Sequence, residues 1–246
     1  MGQTICVMGH KTALIACDRS RFAFVEKPNS WLDSEMIVTY IERMTNTSPT
    51  SGRPGRPREF DSDAALDKAI ARFSEYGYHG TSISDLHACL GLTSGSIYKA
   101  WGDKRGLFVA ALDRYMEVRA EAIRSCLAAE NSGRDKISAL LAMYAQLSSG
   151  VFGRTGCLVV ESAVELSMSD PEIAKCIAAQ QKKRETQMRQ LLEVGREDGS
   201  VRRELDAAVT ARLLLTLQQG MRVLGKTGAT AKYMQGLIPE MLRLLD

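Results

Sequence analysis

The chain has 246 residues; 45% are hydrophobic and 25% charged, so a core can be buried in one large domain or two modest ones. The net charge of +3 is weak evidence about a nucleic-acid partner, because a local basic patch matters more than the total. The sequence excludes a membrane span, since it has no run of 18 apolar residues, and its N-terminus lacks the pattern of a signal peptide.

The six cysteines form no CxxC pair, and no Cys/His set has zinc-finger spacing. A disulfide framework is not expected in a core-forming chain of this size. We therefore expect a protein of the reducing cytoplasm, associated with the nucleoid, with no metal, no cofactor and no membrane partner.

Residues 1–58 are predicted to be a disordered N-terminal extension ending in a basic arm. Residues 1–43 show no sustained periodicity, and residues 44–58 are rich in Pro, Gly and polar side chains that cannot pack a core. Met44 is a candidate for the native translation start; the alternative is a genuine extension. Arg53, Arg56 and Arg58 form a basic cluster that either reaches into a minor groove or is merely disordered.

The segment after Phe60 predicts two helices in close succession. Asp61 or Ser62 can cap a first helix that runs to about Tyr76 and stops at Gly77. Thr81 is predicted to cap a second helix that Gly91 ends. The apolar face of this second helix consists of Ile83, Leu86, Cys89 and Leu90.

A third short helix is predicted from Ser94 to about Trp101, with Thr93 as its cap. Two short helices joined by a tight turn that contains Gly form the helix-turn-helix pattern. The first helical turn is small and polar, as a helix that enters the major groove requires, and Gly95 costs about 1 kcal/mol of helix propensity that close approach to DNA would explain. The predicted base-contacting residues are Thr93, Ser94, Gly95 and Ser96.

Tyr98 and Lys99 are predicted phosphate ligands beside this turn, and the Thr81 hydroxyl is a further candidate. The alternatives stay open. Tyr98 can be half-buried core, Lys99 a solvated charge, and Ser94 and Ser96 simple cap residues.

Longer helices are predicted beyond Asp103, and no segment alternates with the period of a strand, so the predicted fold is all-α. Pro171 suits the first position of a helix. The predicted ranges are residues 104–129, 135–149, 155–168, 171–197, 206–224 and 229–245.

Residues 56–108 resemble the DNA-binding domain of the TetR/AcrR family. The resemblance rests on Arg56-Pro-Arg58, Phe73 to Ile83, Leu86, Leu90 to Thr93, Gly95 to Tyr98, and Lys104 to Phe108. It implies a helix-turn-helix domain over residues 59–105 and a helical domain over residues 106–246. It also implies a phosphate contact by Lys104, a small-molecule pocket, and a homodimer formed by the last two long helices.

Cys157 is a candidate sensor thiol, in a Gly-Cys-Leu segment similar to segments of several members of that family. Arg154 lies three residues before it and is predicted to lower the pKa of the thiol. The alternative is a buried structural cysteine.

These patterns together predict a sequence-specific DNA-binding transcriptional regulator. We expect a homodimer that represses from a palindromic operator and is released by a small-molecule effector. Activation, or thiol-based sensing of oxidants or electrophiles through Cys157, is the alternative. We expect no enzyme and no catalytic residue, because the chain offers only His10, His79 and His87 as base partners for a nucleophile.

Overall fold

The computed structural model describes residues 60–246 of the chain. The predictions for Met44, Arg53, Arg56 and Arg58 lie outside these residues. Within them the backbone forms helices and no strand, so the predicted all-α class is confirmed. The helices are α1 (Ser62–Tyr76), α2 (Ile83–Leu90), α3 (Ser94–Trp101), α4 (Lys104–Ala128), α5 (Gly133–Leu147), α6 (Gly150–Thr155), α7 (Leu158–Leu166), α8 (Pro171–Asp198), α9 (Ala207–Lys226) and α10 (Ala231–Leu242), followed by a 3-10 turn (Arg243–Leu245).

Local capping residues define most helix ends, which explains why the sequence predicts them well. The Asp61 carboxylate caps α1, accepting hydrogen bonds from two backbone N–H groups, and Gly77 ends that helix. The Asp170 carboxylate caps α8 in the same way, and the Asp103 carboxylate caps α4 by accepting one hydrogen bond, from the Gly106 N–H. Pro171 occupies the first turn of α8 as predicted.

One predicted cap is wrong: Ser82 rather than Thr81 caps α2, in a capping box with Asp85. The helix predicted over residues 155–168 corresponds to α7, which begins only at Leu158 because Gly156, whose φ is +92°, breaks the helical path. The short helix α6 is not predicted, since it lies where the sequence indicates a break between helices.

Two apolar clusters form the core. The first surrounds α1 to α3 and contains Phe73, Leu86, Ile97 and Phe108, but it also takes in Leu158, Leu166, Ile173 and Ile177 from α7 and α8. The second is formed by the middle and C-terminal helices, α4 to α5 and α8 to α10. Helix α4 contributes residues to both clusters and therefore links the short helices to the long ones.

No helix in the stretch from Phe60 to Asp246 is both long and apolar enough to cross a membrane.

Candidate nucleic-acid interface and internal cavity

The short helices α2 and α3 are joined by a tight turn and held from beneath by apolar side chains. Gly91 takes a left-handed conformation, with φ of +68°, which lets the chain reverse within the turn. Leu86, Leu90 and Ile97 are buried, and Ile97 fixes α3 against the core with no exposed surface of its own. Trp101 closes the far end of α3 against the ring of Phe60, with centroids 5.5 Å apart.

The first turn of α3 projects away from this core. Thr93, Ser94 and Gly95 are exposed, and Ser96 is half-buried. The Thr93 hydroxyl accepts a hydrogen bond from the Ser96 N–H at 3.1 Å and lies 2.9 Å from the Ser96 hydroxyl. A Cβ added at Gly95 would meet no atom nearer than 3.9 Å, so no packing contact within the described chain requires glycine there.

Tyr98 and Lys99 follow on the exposed side of the same helix. The Tyr98 side chain is 49% exposed, so it is not a core residue, and Lys99 is also exposed. Both are therefore accessible to a molecule that approaches the N-terminal turn of α3.

Thr81 does not have the accessibility that a phosphate contact requires. The residue is fully buried, and its hydroxyl donates a hydrogen bond of 2.8 Å to the Gly77 carbonyl. The hydroxyl therefore closes the turn between α1 and α2, and the predicted phosphate contact is not supported.

Lys104 is also committed inside the protein. Its ammonium donates hydrogen bonds to the carbonyls of Tyr78 (3.1 Å) and Thr81 (3.0 Å) and lies 4.2 Å from the centre of the Tyr78 ring. The resemblance implies that Lys104 contacts a phosphate. In this structure its ammonium instead links the start of α4 to the turn that precedes α2.

An open cavity lies between α4, α5, α7, α8 and α9. The cavity and the open solvent at its mouth together comprise about 580 Å³. Its walls combine apolar and aromatic side chains with several polar ones. The lining residues are Tyr115, Met116, Arg119, Tyr144, Cys157, Val159, Val160, Gln180, Gln181, Arg184, Leu215, Gln218, Gln219 and Arg222.

Cys157 stands in the wall of this cavity, where its sulfur accepts a hydrogen bond of 3.3 Å from the Tyr115 hydroxyl. Burial alone would raise the pKa of the Cys157 thiol, but the charge of Arg222 and the hydrogen bond from Tyr115 outweigh it and lower that pKa. The cation responsible is thus Arg222 on α9, whereas Arg154, the predicted one, has an exposed side chain.

Sequence reasoning missed the arginines of the cavity and its buried glutamine, Gln218. Arg119 follows the buried Leu112 and Tyr115 along one face of α4, and Gln218 and Arg222 follow the buried Leu214 along α9. A charged or amide side chain on an otherwise apolar stripe is the signal that could have identified them.

Comparison with known proteins assigns the chain to a family. Residues 65–111 match the family model described as "Bacterial regulatory proteins, tetR family", and residues 133–238 match the one described as "Tetracyclin repressor-like, C-terminal domain". The HTH-type transcriptional regulator YezE of Bacillus subtilis (strain 168) is 31% identical over 193 residues, covering 78% of this chain and 100% of that protein. The chain belongs to the tetR family.

Further relatives and solved structures of the tetR family agree. The HTH-type transcriptional repressor ComR of Escherichia coli (strain K12) is 30% identical, over 77% of this chain and 91% of ComR. A cysteine mutant of the TetR family transcriptional regulator CifR, complexed with 26-bp double-strand operator DNA, is 26% identical with a TM-score of 0.71, over 78% of this chain and all of that one. The chain is therefore a DNA-binding transcriptional regulator, since its family is one of regulators rather than enzymes.

In this tetR-family chain, polar contacts connect the short helices to the helices around the cavity. Arg105 at the start of α4 forms a two-point ion pair with Asp170, which holds the pKa of Asp170 at about 2. The Glu165 carboxylate of α7 accepts hydrogen bonds from the N–H groups of Tyr78 (2.7 Å) and His79 (2.6 Å). Lys226 of α9 reaches the carbonyl of Ser74, near the end of α1, at 2.6 Å.

Proposed function

We propose that this protein is a ligand-responsive repressor that binds a palindromic operator as a homodimer and leaves it when a small molecule occupies the cavity. Residues 59–105 are the DNA-binding part, residues 106–246 are the regulatory and dimerisation part, and α4 joins them. The observation that best supports DNA binding through α3 is its exposed first turn of small side chains, which lies opposite the buried Ile97.

Thr93, Ser94, Gly95 and Ser96 contact base edges in the major groove, and Tyr98 and Lys99 contact the flanking phosphates. A helix N-terminus directs free N–H groups and a partial positive charge outward, which suits phosphate oxygen, while small side chains let the backbone come near the bases. Arg56 and Arg58 form the basic arm of the same proposal and add affinity through the minor groove.

Dimerisation is assigned to an apolar stripe on α9. Leu213, Leu217 and Leu224 are 37–43% exposed and recur with helical spacing along one face. Gly220 lies on the same face, and a Cβ there would meet nothing within 4 Å. A second copy related by two-fold symmetry can cover this stripe and place two α3 helices on successive turns of DNA.

A matched pair of substitutions tests the assignment of α3. Gly95→Leu should leave thermal stability unchanged or raise it, because space is free at Gly95 and leucine is the better helix former. Operator affinity should fall at least tenfold, because the new side chain occupies the groove. Ala179→Leu, an exposed change in the middle of α8, is the control and should leave affinity unchanged.

A gel-shift titration on the promoter of its own or a neighbouring gene, at several salt concentrations, measures this affinity. Wild-type binding should weaken with salt, with a slope that reflects the number of phosphate contacts. A Gly95→Leu protein that binds the operator as tightly as wild type would remove α3 from the proposed interface.

A further inference from the structure

The cavity gathers positive charge with no carboxylate to balance it among the described residues that line it. Three of those residues are arginines, Arg119 from α4, Arg184 from α8 and Arg222 from α9. Arg222 is only 4% exposed, and Arg119 only 7%. A guanidinium stays protonated at any physiological pH, so these charges cannot be removed by titration.

Some other arginines within residues 60–246 are paired with carboxylates, among them Arg114, which is largely buried, and Arg105, whose side chain is 40% exposed. Arg114 binds Asp67 at 2.7 and 2.8 Å and also reaches Asp63, and Arg105 binds Asp170 and Glu172. Removing a charge from water costs several kcal/mol unless a counter-charge compensates it. Arg184 and Arg222 of the cavity, by contrast, form no ion pair with a carboxylate among residues 60–246.

Several donors in this cavity also lack a hydrogen-bond partner. They are Nη1 of Arg222, Nη2 of Arg184 and Nε2 of Gln218, the last on a side chain that is 97% buried. Arg222 is held in place because its other terminal nitrogen donates to the carbonyl of Gly156. A buried donor without an acceptor destabilises the folded protein, and a donor on a fixed guanidinium is well placed to bind an acceptor.

One internal group can supply negative charge, and it is insufficient. Cys157 can ionise beside Arg222, but a single thiolate cannot balance the charges of both Arg222 and Arg184, and its sulfur is a weak hydrogen-bond acceptor. Burial lowers the pKa of Arg184, and the charge of Arg119 lowers it further, as expected for cations that crowd one another.

Apart from Gln180, Gln181 and Gln219, the rest of the lining is apolar or aromatic. Val159, Val160, Leu215 and Met116 line the same space, and Tyr115 and Tyr144 add aromatic surface. A ligand that matches this cavity has one anionic end for the arginines and an apolar body for the remaining surface. Inorganic phosphate would satisfy only the charged part.

We propose that the cavity binds a small organic carboxylate with an apolar body, its carboxylate held by Arg222 and Arg184 with Gln218 beside it. This inference rests on the proposed function, in which the occupant of the cavity is the effector. The anion supplies a counter-charge for these arginines, and the donors that have no protein partner become hydrogen-bonded on binding.

Thermal unfolding of the full chain with four probes tests the chemistry directly. Octanoate and phenylacetate should raise Tm in a saturable manner, because a ligand that binds only the folded state stabilises it. Octanamide, which keeps the apolar body without the charge, and inorganic phosphate, which keeps the charge without the body, should shift Tm far less at the same concentration. Equal shifts with octanoate and octanamide, or no shift with either carboxylate at 10 mM, would overturn the proposal.

Two variants assign the binding to these arginines. Arg222→Gln should reduce affinity for the carboxylates at least tenfold, whereas Arg212→Gln, on the exposed side of the same helix, should leave it unchanged. Arg184→Met should raise the Tm of the ligand-free protein by about 2–4 °C while weakening the response to carboxylates. A purely structural Arg184 would instead give a lower Tm, which contradicts the proposal.

Operator release is measured separately, by gel shift with and without octanoate. Carboxylates that raise Tm through Arg222 but never release DNA would support the site and reject the effector role. A protein that binds DNA normally and never responds to carboxylates would reject the site and leave the DNA-binding assignment intact.

Discussion

At the scale of single residues, some of the predicted DNA contacts are engaged in hydrogen bonds within the protein, whereas others are exposed. Thr81 and Lys104 carry a hydroxyl and an ammonium, groups that bind phosphates in many proteins. Here both groups donate hydrogen bonds to backbone carbonyls of the turn before α2. The sequence could not reveal this, because the Lys104 ammonium reaches carbonyls more than 20 residues earlier in the chain. Gly95, Tyr98 and Lys99 are accessible because Ile97, on the opposite side of α3, is buried.

Cys157 gives a prediction at the same scale. Its pKa is lowered, chiefly by Arg222 against the opposing effect of burial, whereas burial raises the pKa of Cys126. Since the thiolate is the nucleophile, alkylation of Cys157 by iodoacetamide should accelerate at a lower pH than alkylation of Cys126. Mass spectrometry of the two peptides across a pH series measures both inflections.

Arg222→Gln provides the matched variant for this measurement. Without the guanidinium the inflection of Cys157 should move to higher pH, while that of Cys126 stays in place. An inflection of Cys157 that is unchanged in Arg222→Gln would show that this arginine is not the cause of the lowered pKa.

At the scale of helices, ends set by local caps were predictable and ends set by distant packing were not. Asp61, Asp103 and Asp170 each cap a helix within two or three residues of themselves, so the sequence carries that information. The break between α6 and α7 depends on remote approach instead. A Cβ at Gly156, the residue at the break, would lie 2.9 Å from the Lys226 side chain on α9 and 3.0 Å from the carbonyl oxygen of Ser74 on α1.

The sequence could not predict the cavity either, because distant parts of the chain form it. Its arginines come from α4, α8 and α9, and no local spacing relates them. The resemblance implies a dimer formed by the last two long helices, but Met234 and Met241 of α10, and Leu245 after it, are buried in the protein's own core. This leaves the exposed leucines of α9 as the stronger candidate for a partner surface.

Helix α7 connects the cavity to the DNA-binding part, which yields a prediction about Glu165. Glu165→Ala leaves two backbone N–H groups, those of Tyr78 and His79, without their acceptor and should cost about 1–2 kcal/mol of unfolding free energy. Hydrogen exchange should accelerate in the turn before α2, and operator affinity should fall although the residue lies far along the chain from α3.

Val164→Ala is the matched control, since its side chain is 83% exposed on the same helix. It should change neither exchange nor affinity. If Glu165→Ala behaved like Val164→Ala in both measurements, α7 would not support the turn before α2 in solution.

At the scale of the whole molecule, the proposed recognition of a palindromic operator requires two copies of the chain. One α3 helix spans only a few base pairs, and two-fold symmetry converts this into a palindrome with half-sites about one helical turn apart, or a small multiple of that. Leu217→Glu places a charge in the exposed stripe of α9 without disturbing the core, so it should give a folded monomer in light scattering. Met168→Glu, at a side chain that is 97% exposed outside the stripe, should remain dimeric.

The most direct measurement is a footprint of wild-type protein and Leu217→Glu on a bound promoter fragment. The wild type should protect two inverted half-sites with this spacing, and the Leu217→Glu monomer should lose that paired protection at the same concentration while Met168→Glu keeps it. A single unsymmetrical protected patch, or paired protection that persists in Leu217→Glu, would contradict the account.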